Sequence, residues 1–93
     1  MEIKIEHDAE GKKFYCLLGS GEAYLDYEKT GPGELNFYHT YVPPEFRNRG
    51  IASELLTAAA NYARENGYRV YPGCSYALYY FREHKELDGI WIK

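Results

Sequence analysis

The fold is decided by residues 42–52, which read Val42-Pro43-Pro44-Glu45-Phe46-Arg47-Asn48-Arg49-Gly50-Ile51-Ala52. This segment leads from a strand pattern into a long amphipathic helix pattern. The apolar residues of that pattern recur at helical spacing: Ala52, Leu55, Leu56, Ala59, Tyr62 and Ala63. A helix N-terminus offers unpaired N–H groups and the positive end of the helix dipole, both of which attract anions. Gly50 permits close approach to the backbone, and Arg47 and Arg49 add positive charge.

The segment therefore predicts an anion-binding site, and the alternative is a loop of solvated arginines before a structural helix. A Walker lysine is missing, which excludes a nucleotide P-loop.

Outward from this segment, the alternation of apolar and polar residues predicts five strands. They cover residues 2–6, 14–18, 22–28, 35–42 and 68–71, the second and third forming a hairpin closed by Gly19-Ser20-Gly21. Gly67 is expected to end the first helix, and Ser75 to cap a second one over about residues 76–84. The tail from residue 87 fits a strand or a packed extension. The element order β-β-β-β-α-β-α predicts an α+β fold in one domain, residues 1–93.

Composition narrows the classes of function. The chain has 93 residues with 45% apolar and 27% charged side chains, as in globular proteins. Its net charge is −3, distributed as −5 over residues 1–46 and +2 over residues 47–93. A nucleic-acid-binding protein usually has a large basic excess, so a small anionic ligand held by the second half fits better. Tyrosine is abundant, with 11 residues, some of which are expected to line a surface or groove.

Several classes of protein are not expected. No apolar run approaches the length of a membrane span, and the N-terminus lacks the hydrophobic run of a signal peptide. The two cysteines, Cys16 and Cys74, form no CxxC pair, which argues against a disulfide scaffold or a cysteine-rich zinc site. We expect free thiols in a reducing cytoplasm, Cys16 in the core, and no metal.

Two segments flank the anion-site sequence at informative positions. His39-Thr40-Tyr41-Val42 precedes it, and Pro72-Gly73-Cys74-Ser75-Tyr76 follows the fifth strand pattern. Together with Arg47-x-x-Gly50-x-Ala52 and the order of elements, they resemble the GNAT acetyltransferase superfamily, and within it the short, single-core branch. The resemblance extends from about Gly21 to His84. Lys85 departs from it, because the branch usually carries proline there.

The resemblance implies a mixed, mostly antiparallel sheet and acetyl-CoA-dependent transfer of an acetyl group to an amine, which the sequence does not identify. A non-catalytic acyl-CoA-binding sensor or interaction module on the same fold is the alternative. Acetyl-CoA is the implied co-substrate, and the residues implied to hold it are Tyr41, Val42, Arg47, Asn48, Arg49, Gly50, Ile51, Ala52 and Cys74. Because the N-terminal helices of larger members are missing, the acceptor site should be open or completed by a partner. We expect a monomer or weak dimer.

Three residues are candidates for catalysis. Cys74 lies between a strand end and a helix start, where a thiolate is stabilised. It could act as a nucleophile that carries acetyl, as a base or as a lining residue, or it could be a buried structural cysteine. The resemblance implies that Tyr80 protonates the departing CoA thiolate, although packing is the commoner role for such a tyrosine.

His39 is the third candidate, as the base that removes a proton from the acceptor. Histidine takes up protons near neutral pH, and strand alternation predicts that His39 shares a face with Phe37 and Tyr41. A surface or hydrogen-bonded structural histidine is the alternative. Backbone N–H groups near Tyr41 and Val42 are the expected oxyanion donors.

Overall fold

The computed structural model describes residues 2–19 and 21–93 and contains one five-stranded sheet with neighbouring strands in sequence order. The strands are β1 (Glu6–Asp8), β2 (Lys13–Leu18), β3 (Gly21–Gly31), β4 (Glu34–Tyr41) and β5 (Arg69–Tyr71). The helices are α1 (Ile51–Glu65) and α2 (Ser75–Glu83), with short 3-10 helices at Pro44–Phe46 and Lys85–Ile90. β1 to β4 pair antiparallel, whereas β4 and β5 pair parallel. The predicted order and the mixed, mostly antiparallel sheet are therefore confirmed; Ser20 of the predicted turn lies outside the described residues.

Both helices pack on one face of the sheet. The ring of Phe37 lies 6.3 Å from that of Phe81 in α2, and the ring of Tyr27 lies 6.1 Å from that of Tyr62 in α1. These side chains belong to a single hydrophobic core, which includes the predicted core residue Cys16. Along β2 and β3, the residues that alternate with the core point to the opposite side of the sheet, which no helix of the described residues covers. We call this side the open face; its residues are Lys13, Tyr15, Leu17, Glu22, Tyr24, Asp26, His39 and Tyr41.

A bulge in β4 decides which side chains reach the open face. Asp26 pairs with His39 but the next residue, Tyr27, pairs with Phe37, so Tyr38 is an extra residue in β4. An extra residue resets the alternation of side chains. Phe37 and Thr40 are consequently buried, while His39 and Tyr41 point to the open face. The prediction that His39 shares a face with Phe37 is wrong for this reason.

The first strand lies later in the chain than predicted. β1 spans Glu6–Asp8 and is joined to β2 by a turn, so that Glu6 pairs with Tyr15 and Asp8 with Lys13. The turn fixes the register, and no strand is formed over residues 2–5. Ile3 and Ile5 are half-buried against the core. Their alternation with polar residues thus reflects packing and not strand pairing.

The helix ends agree with the prediction at Gly67 but not at Ser75. Gly67 follows α1 with a φ of +75°, the left-handed conformation expected of a C-terminal glycine. Ser75 lies inside the first turn of α2, because the N–H of Leu78 donates to the carbonyl of Cys74 at 2.9 Å. Cys74 is therefore the N-cap residue of α2, and no side chain caps this helix.

The C-terminal tail combines the two structures that the sequence left open. Lys85–Ile90 is a packed 3-10 helix, and Trp91 then forms a single parallel bridge to Val70 of β5. The N–H of Ile92 donates to the carbonyl of Val70 at 2.8 Å. The Trp91 ring contacts the edge of Phe81 at 5.9 Å, which ties the tail to α2.

Candidate functional site

β4 and β5 separate partway along the sheet and leave a gap between them. They pair only from Glu34–Arg69 to Asn36–Tyr71, after which Pro72 and Gly73 end β5. Residues 37–41 of β4 continue without a β5 neighbour. Gly73 lies so close to Asn36 that a β-carbon would overlap the Asn36 side-chain amide, so a larger residue at position 73 would require this side chain to move.

Side chains meet across this gap. The hydroxyl Oγ1 of Thr40 lies 3.3 Å from the Sγ of Cys74, within hydrogen-bond distance. Thr40 is buried with 7% of its surface exposed, whereas Cys74 is half-buried. Cys74 is therefore held at the start of α2 by a buried hydroxyl that sequence reasoning missed. The signal was available, since Thr40 belongs to the segment that precedes the anion-site sequence.

The N-terminus of α1 has the features of an anion site. Gly50 is the N-cap residue, with a φ of +81°, and no side chain caps the helix. The first helical bond runs from Glu54 N–H to the Gly50 carbonyl at 3.0 Å, so the N–H groups of residues 51–53 have no acceptor among the described residues. A β-carbon at Gly50 would meet nothing within 4 Å. Glycine is thus required by the backbone conformation and not by crowding.

A pocket of about 280 Å³ opens at this helix terminus. It is lined by Val42, Phe46, Arg47, Asn48, Gly50, Ile51, Ala52, Ser53 and Tyr76. Six of these were predicted as cofactor-binding residues; Phe46, Ser53 and Tyr76 were not. Ser53 could have been found by counting, because the third residue after an N-cap still carries a free N–H.

The two arginines of the loop differ in position. Arg47 donates from Nε to the carbonyl of Val42 at 2.9 Å and lines the pocket. The guanidinium of Arg49 instead lies over the Phe46 ring, 5.6 Å from its centroid, and does not line the pocket. Arg47 thus ties the loop to the end of β4 and supplies positive charge to the pocket. The predicted residues Tyr41 and Cys74 also lie outside its lining.

A second pocket, of about 240 Å³, lies between α1 and α2. Its lining is mainly apolar and aromatic: Ala52, Ser53, Leu56, Tyr76, Tyr79 and Tyr80. The hydroxyl of Tyr80 is 2.6 Å from Oγ1 of Thr57, and its ring stacks on His84 at 3.8 Å. The phenol is therefore engaged between the two helices, apart from the Thr40–Cys74 contact.

His39 lies on the other side of the sheet from that contact. It is exposed on the open face, opposite Asp26 of β3, and its ring lies 5.7 Å from that of Tyr24. Thr40, the next residue, points inward to Cys74. The structure therefore brings Cys74 to Thr40 and keeps His39 on the opposite side of the same short stretch of β4.

Within residues 2–19 and 21–93, no group of three or more His, Cys, Asp or Glu side chains is placed to hold a metal ion. In the same residues, no helix combines the length and apolar character needed to cross a membrane.

Comparison with known families identifies the fold. The family model described as GCN5-related N-acetyl-transferase matches residues 13–90, which include β2 to β5, both helices and the loop at Gly50. The chain belongs to the GCN5-related N-acetyltransferase family. This GCN5-related protein also resembles the solution structure of a GCN5-like protein from Staphylococcus aureus, with a TM-score of 0.77 and 25% identity over 96% of this chain and 87% of that one.

Relatives of this GCN5-related chain include vertebrate proteins of similar size. Protein NATD1 of Xenopus tropicalis is 34% identical over 84 residues, covering 88% of this chain and 77% of that protein. Protein NATD1 of Homo sapiens is 33% identical over 84 residues, covering 88% and 74%. The resemblance stated from the motifs is therefore confirmed at the level of family and fold.

Proposed function

We propose that this protein is an acetyl-CoA-dependent N-acetyltransferase that transfers an acetyl group to an amine, working as one cytoplasmic domain. One observation carries the proposal: the uncapped first turn of α1, behind Gly50, faces a pocket that reaches Val42 at the end of β4. Val42 follows the strand that borders the gap between β4 and β5, so a ligand held in this pocket would lead toward the gap. Membership of the GCN5-related family supports the same assignment.

The residues of the pocket fit the diphosphate of CoA. The N–H groups of residues 51–53 point outward from the first turn of α1, and the helix dipole adds to their attraction for an anion. Arg47 supplies a guanidinium at the rim. When bound, acetyl-CoA supplies the acetyl group as a thioester. We assign Arg47 and the first turn of α1 to holding the diphosphate, and Val42 to guiding the remainder toward the gap.

His39 and Cys74 flank the gap from opposite sides and are assigned different tasks. An amine must lose a proton before or during its attack on the carbonyl carbon, and we assign the acceptance of that proton to His39 on the open face. Cys74 lies on the inner side with Thr40, where a thiol adjoins the reacting group. Direct attack requires only His39, whereas a two-step transfer requires the thiol as well.

The position of Tyr80 favours the alternative function in one respect. Its hydroxyl lies 2.6 Å from Oγ1 of Thr57, and this contact supports a packing role for the phenol over protonation of a departing thiolate. A protein that holds acyl-CoA at Gly50 without transferring the acyl group would have the same pocket. The two functions therefore differ in turnover and not in binding.

Binding and turnover are measured separately to test the proposal. Calorimetric titration with CoA is expected to show heat, and CoA is expected to raise the melting temperature. Incubation with acetyl-CoA and a panel of amines is expected to yield an acetylated amine, detected by mass spectrometry. Absence of both heat and thermal shift would overturn the proposal. Binding without transfer to any amine and without hydrolysis would establish the acyl-CoA-binding module instead.

A further inference from the structure

The open face presents two rows of side chains that run across β2, β3 and β4. The strand registers give one row of tyrosines and one row of charged and titratable groups: Tyr15-Tyr24-Tyr41 and Lys13-Asp26-His39. Side chains directly opposite one another on neighbouring strands have Cβ atoms about 5 Å apart. The two rows therefore form a continuous surface of aromatic rings beside charged and titratable groups.

One half of this surface already holds an ammonium group. The Nζ atom of Lys13 lies 2.8 Å from Oε1 of Glu22, 5.3 Å from the Tyr15 ring centroid and 5.8 Å from the Tyr24 centroid. A cation within about 6 Å of a ring is attracted by the electrons of its face. The hydrogen bond to Glu22 also raises the pKa of Lys13. The Lys13 side chain thus shows which chemistry this face stabilises: an alkylammonium among tyrosines and a carboxylate.

The other half has the same components. The ring of Tyr24 lies 5.6 Å from Tyr41 and 5.7 Å from His39. Asp26 lies directly opposite His39 on the neighbouring strand. Two salt bridges occur among the described residues, one between Lys4 and Glu6 and one between Lys13 and Glu22, and the Asp26 carboxylate takes part in neither. This half also adjoins the gap, because His39 and Tyr41 belong to the part of β4 that has no β5 neighbour.

We propose that Tyr24, Tyr41 and Asp26 bind the ammonium group of a lysine side chain in a peptide or protein, and present it to His39 beside the gap. The inference rests on the proposed function, whose acceptor it specifies. Transfer of one proton from this ammonium to the imidazole of His39 leaves a neutral amine and an imidazolium.

The shape of the open face favours a lysine carried by a polypeptide over a free polyamine. Small ligands are usually enclosed in concave pockets, and both pockets described above lie on the helix side of the sheet. Leu17 of the open face is 70% exposed and the bulged Tyr38 is 46% exposed, and residues that flank a lysine can pack against these side chains. The charge of −5 over residues 1–46 attracts a basic segment.

The test uses the blocked tripeptide Gly-Lys-Gly and its norleucine analogue, which keeps the side-chain length but lacks the ammonium group. Titrated into the isotope-labelled full chain, the lysine peptide is expected to shift the amide NMR signals of Tyr24, Asp26 and Tyr41, and the norleucine peptide is not. Asp26→Asn and Tyr24→Leu are each expected to weaken lysine-peptide binding about fivefold. Tyr79→Leu removes an exposed tyrosine from α2, on the other side of the sheet, and serves as the matched control.

Equal binding of the two peptides, or binding unaffected by both Asp26→Asn and Tyr24→Leu, would overturn the proposal. If spermidine shifted the same signals at a lower concentration than the peptide, the inference that the acceptor lysine is carried by a polypeptide would be overturned. CoA is titrated into the same samples, so that failure of the acceptor surface can be distinguished from failure of the acetyltransferase proposal. CoA binding without lysine-peptide binding rejects the acceptor surface and leaves the acetyltransferase proposal intact, whereas loss of CoA binding rejects the latter.

Discussion

The hydroxyl of Thr40 lies 3.3 Å from the sulfur of Cys74, across the gap that opens where β4 and β5 cease to pair. Thr40 is buried, and its neighbour His39 points to the opposite side of the sheet. Two of the three candidate catalytic residues thus lie on different sides of the sheet, Cys74 on the helix side and His39 on the open face.

The first prediction concerns the reactivity of the two thiols. Cys16 is 2% exposed in the core, while Cys74 is half-buried at the N-cap of α2. Iodoacetamide is expected to alkylate Cys74 in the folded protein and Cys16 only when the chain unfolds, because an inaccessible thiol cannot react. Bound CoA is expected to slow the reaction at Cys74. Peptide mapping by mass spectrometry measures both rates, and equal labelling that CoA does not change would contradict the placement of Cys74.

The second prediction tests Gly50 as the site of diphosphate binding. Gly50→Glu introduces a negative charge and a side chain at the uncapped helix terminus, so CoA binding should be lost. Gly67→Glu is the matched control, because Gly67 has a similar φ of +75° and equally open surroundings at the far end of α1.

Both glycine variants place a side chain in the left-handed region, at a cost of about 1–2 kcal/mol, and should lower the melting temperature by several degrees. Only Gly50→Glu should abolish the calorimetric signal with CoA. If Gly67→Glu abolished it too, the effect would be one of folding and not of the site.

The third prediction separates proton removal from cofactor binding. His39→Gln removes the imidazole from the open face without touching the pocket at Gly50, so CoA affinity should be unchanged. Turnover of an amine acceptor should fall by ~10²-fold or more if proton transfer limits the rate. Wild-type turnover of this variant from pH 6 to 9 would contradict the assignment. Cys74→Ala tests the rival mechanism, since transfer by direct attack survives the loss of the thiol.

The fourth prediction is a pH dependence of stability that arises from the core. Burial raises the pKa of Tyr27 to about 12, and its hydroxyl lies 2.7 Å from Nε2 of His7. The folded state therefore keeps the phenol proton at a pH where the unfolded chain, with a tyrosine pKa near 10, has lost it. This contribution to stability is complete below pH 10 and is lost as the pH rises to 12, by about 2–3 kcal/mol.

Urea unfolding at pH 9 and above measures this loss. Tyr27→Phe should have a flatter profile between pH 10 and 12, because the titrating group is gone. Tyr71→Phe changes an exposed tyrosine and should follow the wild type. Parallel profiles for wild type and Tyr27→Phe would contradict the prediction.

Much of the fold and part of the site could be predicted from local sequence. The periodicity of residues 51–65 defines α1, since apolar side chains at helical spacing have one stable arrangement against a sheet. Gly50 and Gly67 mark its two ends through backbone conformations that glycine adopts without strain. Gly50, Ile51 and Ala52 of the pocket follow from this helix start, because a helix N-terminus determines where its free N–H groups lie, whereas Val42 and Asn48 were implied by the resemblance to the family.

Pairing and packing between distant segments decided the rest. The sequence by itself determined the element order, the start of α1 at Gly50 and the core position of Cys16. The tertiary structure decided the face of His39, because the bulge at Tyr38 depends on the register of β4 against β3 and not on β4 alone. It also decided the contact between Thr40 and Cys74 and the position of Lys13 between two tyrosines and Glu22. These contacts join two strands, or a strand and the start of a helix. The alternation of side chains along one strand does not determine which residues of another element lie opposite.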